Sequence, residues 1–245
     1  MQLSEREVQL WLVPLDEGAL RLAELTADEQ ARAERFRCPQ ARAAFIQTRA
    51  ALRRLLGRYL DLPPLAIVLS YGAQGKPRLD AGMGALQFNV SHSHRLALIA
   101  ISQAPVGVDL EWLQADLDWR ELAPVCCHST ELADLHAATD SEGRAHLLRL
   151  WTAKEAYLKA RGEGLSLPLT AIRLNVTAEG WQPSIEAPWD DGQGWWLQPL
   201  QLPSGYVSCI ATPFIDPLIG LRSLTESALT RWAIGPTTPT FSVTP

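Results

Sequence analysis

From Arg144 to Arg161 the chain contains neither Gly nor Pro, and Gly162 and Gly164 close the stretch. The residues are good helix formers, and Leu147, Leu150, Trp151 and Leu158 share one face, so the spacing predicts a long amphipathic helix with Trp151 as its buried anchor. Glu155 and Lys159 stand four apart on one side of that helix, the acid N-terminal to the base. Such a pair on a solvated face contributes only ~0.2–0.5 kcal/mol. The alternative is that the spacing aims both groups at one ligand. The choice depends on what else the chain can bring to them.

At 245 residues the chain has room for one large domain or two small ones. Its hydrophobic content of 47% and charged content of 20% are ordinary for a globular protein, and a net charge of −5 speaks against a nucleic-acid binder. The charge is uneven. Residues 30–60 hold eight Arg against Glu34 alone, a segment of +7 that leaves −12 for the remainder. A basic stripe on an acidic protein suits a phosphorylated small molecule or an acidic partner, unless it is simply a solvated helix face. Cys38, Cys126, Cys127 and Cys209 give neither a disulfide framework nor a metal-ligand spacing, which fits a reducing cytoplasm. Glu5, Arg6 and Glu7 interrupt any signal peptide, and the longest apolar run, Leu96–Ser102, is too short to span a bilayer.

Residues 8–15 read as a strand ended by Pro14. Thr26 and Glu29 form a capping box for a first helix, and Pro39 opens a second that runs to Leu60, where Asp61-Leu-Pro-Pro stops it. Arg42, Arg49 and Arg53 fall on one face of it. Strands follow at Ala66–Tyr71, Gln87–Val90, Arg95–Ser102 and Val106–Trp112, with Ser91-His92-Ser93-His94 as a polar tip. Leu122–Ala138 reads as one or two helices capped at Ser129 or Thr130. Beyond the long helix, strands are expected at 171–176, 181–185, 195–200 and 206–212, and residues 235–245 form a Thr- and Pro-rich tail. Composition allows a boundary near 103–115.

Asp109 and Glu111 stand two apart on a strand, so both point to one side among apolar neighbours. Two close carboxylates in a dry setting repel, and a divalent cation removes the conflict. Mg²⁺ takes carboxylate oxygens and shares its shell with waters and substrate phosphates. Glu155 is a candidate third carboxylate. Lys76 after the Gly72–Gly75 turn, the Ser91-His92 pair, Arg32 and Arg49 are candidate phosphate contacts. Taken singly, Asp-x-Glu on an exposed edge strand and a loop histidine are the plainer readings.

Four blocks together carry a resemblance: Gly107-Val-Asp109-Leu-Glu111, Trp151-Thr-Ala-Lys154-Glu155-Ala-Tyr-Leu-Lys159, Gly75-Lys76-Pro77 and Phe88-Asn-Val-Ser91-His92-Ser93, with Gly162–Pro168 beyond the helix. The sequence resembles the 4′-phosphopantetheinyl transferases, in the larger, monomeric, surfactin-synthetase-type branch, over roughly residues 5–215. The resemblance implies an α+β fold: a pseudo-dimer of two similar halves, each a small, mostly antiparallel sheet packed on a long helix. The halves would be 1–106 and 107–220, with 221–245 as an extension and the active site between them. It further implies transfer of 4′-phosphopantetheine from coenzyme A to a serine of an apo acyl or peptidyl carrier protein, with Mg²⁺ or Mn²⁺. Asp109, Glu111 and Glu155 would hold the metal, and Glu155 and Lys159 would be catalytic. Lys76, Ser91, His92, Arg32, Arg49, Asp109 and Lys159 would contact coenzyme A. Cys126-Cys127 departs from the aromatic residues common in relatives. The carrier is expected to dock near Leu113–Val125, with Leu117 and Trp119 as anchors, although core positions are the plainer reading of both. Two rival classes remain: a Mg²⁺-dependent hydrolase of nucleotide pyrophosphates, and an idle coenzyme A- or carrier-binding module.

Overall fold

The computed structural model describes residues 3–16, 21–72, 75–114, 116–136, 138–162, 167–178, 180–185, 189–190 and 192–224. The Thr- and Pro-rich tail and most of the segment after Gly162 lie outside them. Pro at the first helical position opens α2 (Pro39–Leu60), and Asp61 ends it in the left-handed conformation. Before it, α1 (Ala27–Glu34) starts at the expected box, the Thr26 N–H donating to Glu29 Oε2 at 3.0 Å. The opposite half holds the other long helix, α5 (Asp140–Arg161), which stops at left-handed Gly162. It starts a turn earlier than expected because Thr139 and Glu142 form a second capping box. Gly143 is tolerated there because the Trp119 ring occupies the space of a Cβ.

Each long helix covers one sheet. The first sheet comprises β1 (Glu7–Pro14), β4 (Gln87–Ser93), β5 (Leu96–Ser102) and β11 (Leu218–Ser223), in the order β11-β1-β5-β4. It is antiparallel except for the parallel β1–β11 pair. Trp11, Val13, Phe88, Ile99 and Ile101 pack there against Leu52, Leu55 and Leu56 of α2. The second sheet comprises β6 (Gly107–Trp112), β7 (Arg173–Thr177), β8 (Gly180–Ser184), β9 (Trp196–Pro199) and β10 (Tyr206–Thr212), in the order β6-β10-β9-β8-β7. Leu197, Cys209 and Ala211 there pack on Leu147, Leu150, Ala153, Ala156 and Tyr157 of α5. A third apolar cluster joins the sheets, with Val8, Leu10 and Leu98 against Val108, Leu110 and Ile210. A small hairpin, β2 (Leu69–Tyr71) and β3 (Pro77–Leu79), carries Lys76. No described helix is long and apolar enough to cross a membrane.

Several expectations change. Ser91, His92 and Ser93 lie on β4, not in a polar tip, because pairing with β5 continues to Ser93↔Leu96. Only His94 turns, at φ 52°. The segment 122–138 holds α3 (Trp119–Cys126) and α4 (Ser129–His136). The first turn of α4 is tied by Glu131 Oε2, which accepts the His128 N–H at 2.8 Å, so neither Ser129 nor Thr130 is the cap. Trp119 is 4% exposed and Leu117 packs against the same core, so both belong to the interior and not to a docking face. Trp151 is half-buried, and the fully buried anchors of α5 are its Leu, Ala and Tyr side chains. Finally, β11 returns the chain to the first sheet, so the expected boundary at 220/221 falls inside a strand.

Candidate active site

β4 and β6 are edge strands of different sheets and run side by side. On an edge strand every second N–H lacks a ladder partner. Here the side chains of β4 supply it: Asn89 Oδ1 accepts from Val108 N–H at 2.9 Å, Ser91 Oγ from Leu110 N–H at 3.3 Å, and Ser93 Oγ from Trp112 N–H at 3.0 Å. Because each hydroxyl accepts from the backbone, its own proton is free to donate. Ser91 gives it to Asp109 Oδ1 at 2.8 Å and Ser93 gives it to Glu111 Oε2 at 2.9 Å. The period of two on β4 thus matches the period of two on β6.

Helix α5 closes over this seam. Gly107 makes the approach possible, since a Cβ there would sit 1.9 Å from the Ala156 carbonyl oxygen. Lys159 Nζ donates to Asp109 Oδ1 at 2.6 Å and to Ser91 Oγ at 3.1 Å. Among the described residues two of its three protons are used, and its side chain keeps 28% exposure. Asp109 is buried, and its Oδ2 has no hydrogen-bond partner among the described residues.

Glu155 and Glu111 feel this cluster. Burial raises the Glu155 pKa above the usual carboxylate range; Lys159 opposes the rise, and Asp109 and Glu111 add to it. Burial likewise raises that of Glu111; the Ser93 hydrogen bond opposes this, and Asp109 adds to it. The three acids therefore share one field. Among the described residues no three His, Cys, Asp or Glu side chains form a ready-made metal cage.

Glu155 and Lys159 also line a cavity of about 280 Å³, together with Lys76, Phe88, Asn89 and Gly162. Lys76 Nζ donates to the Lys159 carbonyl, linking the hairpin to the end of α5. Burial lowers its pKa to about 8, with Arg78 and Lys159 contributing. Partial desolvation, and then Lys159, lower the His92 imidazole below its usual value.

The basic stripe of α2 divides. Arg53 is structural: it holds Glu29 with two hydrogen bonds of 2.6 and 3.0 Å and donates to the Pro64 and Ile67 carbonyls. Arg54 is paired with Glu24. Arg49 is buried beside Glu29 at 3.6 Å and lies over the Phe45 and Tyr71 rings, and burial lowers its pKa. Arg32 lies over Phe45 and lines a cleft of about 590 Å³ with Arg35, Phe36 and Tyr71. Arg32 and Arg49 therefore share the Phe45 ring as a common neighbour.

The structure adds residues that the sequence does not single out. Asn89 and Ser93 hold the seam, and their sequence signal is the Asn-x-Ser-x-Ser alternation on β4. Lys154, in the same block as Lys159, is fully buried and donates to Glu131 Oε2 at 2.6 Å and to the Cys126 and Leu169 carbonyls at 2.9 and 3.1 Å. Nothing in the spacing separates these two lysines.

Fold and site together define a two-sheet α+β protein with three carboxylates and a lysine gathered at the junction of the sheets. Residues 10–104 match the family described as 4′-phosphopantetheinyl transferase, N-terminal, and residues 105–202 match the 4′-phosphopantetheinyl transferase superfamily. The chain is 36% identical over 84% of its length to the 4′-phosphopantetheinyl transferase HetI of a Nostoc species, covering 87% of that protein. It is 38% identical to a putative 4′-phosphopantetheinyl transferase of a Synechocystis species, over 67% of this chain and 68% of that one. To the 4′-phosphopantetheinyl transferase Sfp of Bacillus subtilis it is 30% identical, over 71% of this chain and 77% of that one. The chain belongs to the 4′-phosphopantetheinyl transferase family.

Proposed function

We propose that the protein moves 4′-phosphopantetheine from coenzyme A to a serine hydroxyl of an apo acyl or peptidyl carrier protein, releasing 3′,5′-ADP. The observation that carries this reading is the Asp109 carboxylate. It is buried, with one oxygen held by Lys159 and Ser91 and the other without a hydrogen-bond partner among the described residues, in the shared field of Glu111 and Glu155. A buried carboxylate oxygen without a donor is costly unless a cation completes it. Three carboxylates suit Mg²⁺ or Mn²⁺, which take oxygen ligands and complete their shell with substrate phosphates and water. Asp109, Glu111 and Glu155 would hold that ion, which when bound neutralises charge on the pyrophosphate.

The chain's own residues do the rest. The remaining Lys159 proton is available to the pyrophosphate oxygens and offsets the negative charge that grows on the departing 3′,5′-ADP. Glu155, directly or through a water that it orients, takes the proton of the carrier serine as the serine oxygen attacks the β-phosphorus and the bond to the bridging oxygen breaks. Lys76, Ser91 and His92 contact coenzyme A phosphates. Arg32 and Arg49, with their aromatic neighbours, take the 3′-phosphoadenosine end. In this reading residues 1–106 form the nucleotide half and the chain from 107 the acid-bearing half of a monomer with internal pseudo-twofold symmetry, with β11 handed back to the sheet of the nucleotide half.

The test is mass spectrometry of a panel of apo carrier proteins incubated with the enzyme, coenzyme A and Mg²⁺. At least one carrier gains a single phosphopantetheine, and Asp109→Ala or Glu155→Ala abolishes the gain. Failure to modify any carrier overturns the transferase reading. A gain that survives both substitutions overturns the metal assignment.

A further inference from the structure

We propose that Ser93 is a positioning residue that sets the direction of the Glu111 carboxylate. This inference rests on the reading of Glu111 as a metal-holding group. Ser93 lies on β4, in the other sheet from Glu111. Its Oγ accepts the Trp112 N–H at 3.0 Å, which leaves the hydroxyl proton one carboxylate to serve, Glu111 Oε2 at 2.9 Å. The acceptor bond fixes the rotation of the hydroxyl, and the donor bond then fixes the carboxylate.

The backbone that anchors the device is itself clamped. The Trp112 ring stacks on His94, with centroids 4.8 Å apart and an angle of 27°, and meets Tyr206 edge-on at 4.8 Å. Gly205 leaves room for that ring, since a Cβ would come within 2.4 Å of it. Trp112 therefore cannot swing its N–H away from Ser93 without breaking an aromatic cluster. The Tyr206 hydroxyl in turn accepts the Arg95 N–H at 3.2 Å, tying the β4–β5 turn to β10.

The same device occurs once more along the seam. Ser91 accepts from Leu110 N–H and donates to Asp109, and Asn89 accepts from Val108 N–H. Asp109 has a second holder in Lys159, at 2.6 Å. Among the described residues, Ser93 is the one hydrogen-bond donor to Glu111. Loss of Ser93 should therefore release Glu111, whereas Asp109 would keep Lys159 if Ser91 were lost. Groups that orient metal-holding carboxylates typically govern affinity by about 10–100-fold.

The experiment measures Mn²⁺ binding to the full chain by electron paramagnetic resonance, with coenzyme A present, alongside thermal unfolding. Wild type, Ser93→Ala, Ser93→Thr, Glu111→Ala and the Ser93→Ala/Glu111→Ala pair are compared. The expected result is a Kd for Mn²⁺ raised about tenfold or more in Ser93→Ala. Ser93→Thr, which keeps the hydroxyl, restores it, and Ser93→Ala adds nothing once Glu111 is gone. Wild-type Mn²⁺ affinity in folded Ser93→Ala overturns the inference, as does an equal loss in the Glu111→Ala background. If Ser93→Ala does not fold, Ser93→Val, which also removes the donor and suits a strand, takes its place with the same two criteria. Unchanged binding in Glu111→Ala overturns the metal role of Glu111 itself, and the inference with it. Weakened binding in Glu111→Ala alone overturns only the inference.

Discussion

Lys159 on α5 donates to Asp109 Oδ1 on β6 at 2.6 Å, and both share the hydroxyl of Ser91 from the opposite sheet. Three elements that are remote in sequence thus meet at one carboxylate. Lys154, earlier on α5, makes the contrasting contact: its ammonium is enclosed by Glu131, Cys126 and Leu169 with all three protons used.

The two lysines therefore fail differently when replaced. Lys154→Met leaves Glu131 buried without its counter-charge, and breaking such a pair costs about 3–5 kcal/mol. Urea unfolding should show that loss in Lys154→Met. Lys159→Met should lose less stability, because its side chain is 28% exposed, but transfer should fall about 100-fold or more. Equal unfolding midpoints for wild type and Lys154→Met would contradict the structural role.

Lys76 predicts an alkaline limit. With a pKa lowered to about 8, it is charged below that pH and neutral above it, and only the charged form attracts phosphate. The ratio kcat/KM for coenzyme A reports the free enzyme, so it should decline as pH rises through about 8. Lys76→Arg should carry the decline to higher pH, because a guanidinium stays charged. A limb that stays in place in Lys76→Arg assigns it to another group.

At Gly107 the contact is between backbones. An added Cβ would stand 1.9 Å from the Ala156 carbonyl oxygen, so Gly107→Ala must push α5 from β6. Overpacking typically costs about 1–3 kcal/mol, and a collision with backbone belongs at the upper end. Calorimetry should record the loss. An unchanged Tm would mean that helix and strand do not approach this closely.

Trp119 tests whether the 113–125 segment contributes to the interior or to a docking face. Its ring packs on Gly143 and the α5 core, and truncation of a buried aromatic costs about 3–5 kcal/mol. Trp119→Phe, which keeps most of the volume, should lower the denaturation midpoint while leaving the KM for the carrier unchanged. A raised carrier KM with an unchanged midpoint would return Trp119 to the docking surface.

Much of this was written locally. Pro39 and the Asp61-Leu-Pro-Pro stop bracket α2, and Gly162 ends α5, because backbone constraints at those positions act within a turn. Asp109 and Glu111 could be placed on one face because the period of a strand is fixed by its geometry. The 4′-phosphopantetheinyl transferase resemblance rested on those blocks. Tertiary structure decided which charges are free. Arg49, Arg53 and Arg54 read alike on one helix, but in the folded chain Arg53 is hydrogen-bonded to Glu29 and Arg54 is paired with Glu24, whereas Arg49 stands 3.6 Å from Glu29 against the Phe45 and Tyr71 rings. Lys154 and Lys159 divide in the same way, one enclosed by α3, α4 and the loop before β7, the other at the seam. That seam, in which β4 side chains replace a missing ladder for β6, brings together residues with no local signal linking them, because an edge strand takes whatever acceptors the other sheet presents.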